Sequence, residues 1–218
     1  MSEPTPTIAA GKHQPASRIL CALLLAALVF TRPSAAQDST PAPTAAWHFM
    51  IEPAFMQPEV EIAIPGSDRT VITPALISGD TVTYLKRETL EDQQLDLDSI
   101  ESLARRAASA DLATLEPAFV RDDEGILQFA VIDSDLPIVA PSVFAPDFVD
   151  KFRDTLGPDL LLAIPNRYRV YVFPALASRF AEAADSILAD YALTPYPVSK
   201  EVFRLRDGNL EAIGTFED

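Results

Sequence analysis

From Trp47 onward, short apolar runs alternate with clusters of Gly, Pro, Ser and Asp. Runs at 47–51, 59–64, 70–73 and 81–85 predict strands, with turns at Gly66-Ser67-Asp68 and Ser78-Gly79-Asp80, where small and polar residues tolerate the backbone angles required. The period then lengthens. Ile100, Leu103, Ala104, Ala107 and Leu112 recur near helical spacing behind a D-x-x-E capping pattern at Asp98 and Glu101, which predicts a helix over 99–113. Two further helices are expected. One starts at Pro146, carries Phe148, Phe152 and Leu156 at four-residue spacing and stops at Gly157; the other covers 176–191. Each helix is followed by two apolar runs around a short polar turn, namely 118–120 with 126–132, 160–164 with 169–173, and 201–205 with 210–214. Such pairs are β-hairpins, which force antiparallel pairing. The expected class is α+β: a mostly antiparallel sheet built from hairpins, with about three helices packed on it.

The first 36 residues have a different character. Lys12 and Arg18 precede an apolar run over 19–30, and Ser34-Ala35-Ala36 supplies small residues at the end, the plan of a secretory signal. The run is shorter than the roughly 20 residues needed to span a bilayer. Cleavage there would leave a flexible spacer over 37–46, rich in Pro, Ala, Ser and Thr, and a single domain over 47–218. The expected location is therefore periplasmic or secreted, with no stable membrane insertion after processing.

Charge and composition narrow the function. The chain has 17 Lys and Arg against 32 Asp and Glu, a net charge of −15, which deepens to −17 without the leader. Such a surface repels nucleic acid. The only cysteine, Cys21, lies in the leader, and His48 is the one histidine beyond it, so thiolate metal sites lack ligands. There is no G-x-S-x-G, no G-x-x-x-x-G-K-[ST] and no G-x-G-x-x-G. No cofactor is expected.

Three stretches resemble the YtpQ-like family of bacterial proteins, a domain of unknown function, over about residues 80–214. They are Thr83 to Leu90 leading into the helix; Ser142 to Phe148 with Leu160 to Arg167; and Tyr196 to Phe203. The chain departs from the family pattern at Tyr168, where the family carries Asp, and at Asp111-Leu112, where Asn-Leu is usual. The resemblance implies a fold and no known reaction.

Candidate chemistry is sparse. Arg167, Tyr168 and Arg169 sit at an expected hairpin tip, where two guanidinium groups beside a phenol suit a carboxylate or phosphate. The plain alternative is ion pairing with surface carboxylates. Asp133 and Asp135 follow a strand end and offer two carboxylates for acid–base work, against an ordinary solvated turn. His48, with no evident partner, reads as an edge residue. The expectation is an exported, non-catalytic binding or accessory module whose partner is a protein or a small anionic ligand. The alternative is a carboxylate-dependent hydrolase or transferase using Asp133 and Asp135 with Arg167.

Overall fold

The described residues form ten strands and four α-helices; three of the helices stand in the predicted order, the short helix over 87–92 is not among those expected, and every strand pairing is antiparallel. The structure is a computed structural model that describes residues 44–176, 180–206 and 208–216, the first three of the last helix by backbone alone. The expected leader, most of the expected spacer, residues 177–179 of the helix expected over 176–191, and Asp207 of the last turn lie outside the described residues.

The amino-terminal part forms a four-stranded sheet. β1 (Ala46–Pro53) pairs along one edge of β3 (Thr70–Ser78). β2 (Ile62–Ala63) and β4 (Thr81–Tyr84) pair with successive halves of its other edge. The strand expected over 59–64 is thus only two residues long, whereas the one expected over 70–73 continues through Pro74 to Ser78. Pro74 lacks an N–H, but as the chain crosses from β2 to β4 Leu85 still donates its N–H to the Pro74 carbonyl at 2.9 Å.

After a six-residue helix, α1 (Arg87–Asp92), comes α2 (Leu97–Thr114), which buries Ile100, Ala104, Ala108 and Leu112 at strict four-residue spacing. Leu103, expected on this stripe, is largely exposed. The cap is Asp96 and not Asp98: its carboxylate accepts from the Ser99 N–H at 2.7 Å and the Ser99 hydroxyl at 2.6 Å. These bonds, the hydroxyl's first, hold the Asp96 carboxyl below the usual range. Helix α3 (Phe148–Leu156) buries its three predicted residues; its first position is Phe148, not Pro146 as expected, with Asp147 at the cap, and Gly157 closes it at φ 90°. The last helix, α4, covers Phe180–Leu193.

The three predicted hairpins, β5–β6 (Ala118–Arg121, Leu127–Asp133), β7–β8 (Leu160–Asn166, Arg169–Pro174) and β9–β10 (Glu201–Arg206, Asn209–Thr215), join edge to edge in one six-stranded sheet of order β10-β9-β7-β8-β6-β5. Its inner strand β7 is buried on both faces. Leu160 and Leu162 face the main core with β1, α2 and α3, while Leu161 and Ala163 face α4. The loop at the end of β7–β8 is Arg167-Tyr168; Pro165 and Asn166, expected in the turn, belong to the strand.

The two sheets meet through specific contacts. The loop after β2 docks on β10, where Ala212 donates its N–H to the Pro65 carbonyl at 2.8 Å. The carbonyl oxygen of Ala212 lies so near Gly66, at φ +76°, that a Cβ there would come within 2.3 Å of it. Among the described residues, no helix is long and apolar enough to cross a membrane.

Candidate functional site

The tip of hairpin β7–β8 sends its side chains in two directions. Tyr168 and Arg169 reach an open cleft of about 520 Å³, together with Asp133, Ser134 and Asp135 from the end of β6, Asp190 from α4, and Thr194 and Pro195 behind that helix. Antiparallel register accounts for part of this convergence, because Asp133 and Arg169 are cross-strand partners of β6 and β8. Asn166 fixes the tip. Its carbonyl oxygen accepts the Tyr168 N–H at 2.9 Å, and its amide donates to the Asp190 carbonyl at 3.3 Å.

Charge in the cleft is uneven. The Arg169 guanidinium donates to both oxygens of Asp190, at 2.9 and 3.0 Å, and lies 3.6 Å from Asp133. The hydrogen bond to Asp190 is the main reason that Arg169 holds its proton even more firmly than usual. Tyr171 donates its hydroxyl to Asp190 at 2.6 Å; burial, with the bond and charge of Asp190, pushes that phenol well above its ordinary range. Two carboxylates, Asp190 and Asp133, therefore share one guanidinium, and Asp135 lines the same cleft. The loop after β6 is organised by Ser134 rather than by the aspartates: its hydroxyl accepts the Leu136 N–H at 3.1 Å, and its own N–H reaches the Tyr168 carbonyl.

Arg167 is not among the residues lining this cleft. It is 8 % exposed, and its guanidinium reaches the other sheet, donating from Nε to Glu52 of β1 at 2.9 Å and from an Nη to the hydroxyl of Tyr84 of β4. It also stacks 4.7 Å from the ring centre of Tyr196, beside which Tyr168 lies. Ion pairing was the plainer expectation for this arginine, but with surface carboxylates. The partner is instead a buried carboxylate 115 positions away. Burial pushes the Glu52 carboxyl above its usual range, outweighing the hydrogen bond and charge of Arg167. For Arg167 burial opposes the charge most, yet Glu52, Tyr84 and Tyr168 together more than offset it. Burial, reinforced by the charge of Glu52, raises the Tyr84 phenol strongly.

The structure thus assembles four of the five residues singled out from sequence, Asp133, Asp135, Tyr168 and Arg169, and removes Arg167 from their company. It adds Asp190, whose place on a helix 21 positions beyond Arg169 gave no local signal. Glu52 had one, as a lone carboxylate inside the apolar run of β1. His48 is buried and partnered, contrary to the expectation of an isolated edge residue: its Nε2 lies 2.7 Å from Asp111 on α2 and its Nδ1 3.0 Å from the Ala46 carbonyl. Among the described residues, no group of three or more His, Cys, Asp or Glu is placed to hold a metal ion.

The chain matches no protein-family model, no curated protein and no solved structure at a significant level.

Proposed function

We propose that the chain is an exported, non-catalytic binding module whose hairpin-tip cleft takes a small organic cation, an amine or a guanidine. The observation that carries this reading is the charge balance of the cleft, where among the described residues Asp133, Asp135 and Asp190 are set against Arg169. An anion would have to displace Asp190 from both of its bonds to Arg169, and would do so in the field of a chain of net charge −15. A cation meets the carboxylates directly, and the ring of Tyr168 offers it a π face. The preference is thus opposite in sign to the anionic ligand suggested by two adjacent arginines. A hydrolase built on Asp133, Asp135 and Arg167 is not favoured, because the Arg167 guanidinium is engaged with Glu52 and Tyr84. Export is supported by the positive start, the short apolar run and the small residues at 34–36.

The test is titration calorimetry with agmatine and putrescine at low ionic strength. Both amines bind, acetate and phosphate do not compete with them, and Asp135→Asn weakens binding about fivefold, the size of one exposed charge contact. Raising salt to about 0.15 M weakens it further. Failure of both amines to bind, or an unchanged affinity in Asp135→Asn, overturns the reading.

A further inference from the structure

A second cavity, of about 420 Å³, lies at the seam between the two sheets. Its apolar wall includes Pro53, Phe55, Val198 and Tyr191, and its charged residues are Arg69, Lys200 and Asp68. Arg69 and Lys200 stand here beside Asp68, with the buried carboxylate of Glu201 behind Thr70 and Ser199, in a chain where acidic residues outnumber basic ones 32 to 17.

The placement of these groups is imposed by the fold. Phe55 belongs to a single 3-10 turn, Ala54–Met56, between β1 and β2. Ala54 donates its N–H to the Arg69 carbonyl at 2.8 Å, and Gln57 closes the turn by donating to the Ala54 carbonyl at 3.1 Å. That closure requires φ 50° at Gln57, a left-handed conformation that a side chain disfavours. The result is a phenylalanine that is 71 % exposed at the lip of a cavity. Across the seam, the Nζ of Lys200 stands 5.5 Å from the ring centre of Tyr191, so cation and aromatic ring are already paired on the wall. The Arg69 side chain has no hydrogen bond or ion pair among the described residues, and its forked guanidinium is open to a planar two-oxygen acceptor.

Thr70 and Ser199, both buried, complete the lining. Their hydroxyls are fixed by the buried carboxylate of Glu201, at 2.5 and 3.3 Å, and Ser67 donates to the same oxygen at 2.8 Å. This cluster joins the β2–β3 loop to β9. It holds the seam at a set width and occupies the Glu201 oxygen with neutral donors.

We propose that this cavity binds a small aromatic carboxylate, with its ring against Phe55 and Tyr191 and its carboxylate on the guanidinium of Arg69. The site is distinct from the hairpin-tip cleft and does not depend on the reading given for it. An organic cation would meet the open Arg69 guanidinium, and a bare inorganic anion would leave the apolar wall unused.

The experiment is calorimetric titration of the full chain with 3-phenylpropionate. Acetate serves as the charge without the ring and benzyl alcohol as the ring without the charge. Arg69→Gln and Phe55→Ala alter solvent-facing side chains, so a retained melting temperature verifies folding in each. The acid binds at least about tenfold more tightly than either fragment; Arg69→Gln weakens it about tenfold and Phe55→Ala about fivefold. Arg106→Gln, on the exposed side of α2, leaves it unchanged. Absence of binding by the wild-type chain, acetate binding as tightly as the aromatic acid, or unaltered affinity in either Arg69→Gln or Phe55→Ala overturns the proposal.

Discussion

At Glu52 two effects oppose each other. Arg167 attracts the carboxylate, and burial penalises it more. The folded-state pKa therefore lies above the unfolded one, and the contribution of this group to stability is full below about pH 4.5 and is lost as pH rises through the raised value. Denaturant unfolding of wild type and Glu52→Gln across about pH 4 to 7 checks the sign. The stability of wild type relative to the variant falls as pH rises, and an increase would contradict it. Removing the other partner is a different matter. Arg167→Met leaves a buried carboxylate unpaired and costs about 3 kcal/mol, whereas Glu52→Gln combined with Arg167→Met recovers most of that loss. Equal losses in the single and double variants would show that the pair does not couple the sheets. These residues were half legible. An arginine at a hairpin tip is visible in the sequence, but a partner 115 positions away is chosen only when β1 is laid beside the tip.

Elements were read most reliably where their period was long. Phe148, Phe152 and Leu156 mark one face of α3 unambiguously, and all three are buried. The boundary of α2 was misplaced because Asp96 and Asp98 both precede a serine or glutamate at capping distance; Ser99 settles the choice by giving both its N–H and its hydroxyl to Asp96. The strand expected over 59–64 shrank to two residues because β3 offers only part of one edge to it and the rest to β4. The turn at Gly66 illustrates an element serving a remote one. A Cβ there would strike the Ala212 carbonyl oxygen of β10, and a positive φ adds its own strain. Gly66→Ala is therefore expected to cost about 2–5 kcal/mol in denaturant unfolding. Gly125→Ala, with a similar φ but nothing within 4 Å, incurs only the conformational part, about 1–2 kcal/mol. Similar losses in the two variants would mean that the contact with β10 contributes nothing.

For the molecule as a whole, both candidate sites lie between elements far apart in sequence. The hairpin-tip cleft needs the ends of β6 and β8 beside the last turn of α4, and the seam cavity needs the β1–β2 turn beside β9. In a chain so acidic, an acidic cleft and a cavity that presents the Arg69 guanidinium arise because backbone packing decides which charged side chains stand together, not because the sequence clusters them. By itself the sequence determined the α+β class, the three hairpins, the apolar face of α3 and three of the four buried positions of α2, since periods of two and 3.6 residues record which side of each segment is buried. It also placed Asp133, Asp135, Tyr168 and Arg169 at strand ends that the register then brought together. The tertiary structure alone decided that Arg167 turns away to Glu52, that Asp190 neutralises Arg169, and that Glu201 gathers Ser67, Thr70 and Ser199. Pairings between side chains more than a few residues apart leave no trace in a local pattern; they are fixed by how one sheet is seated on the other.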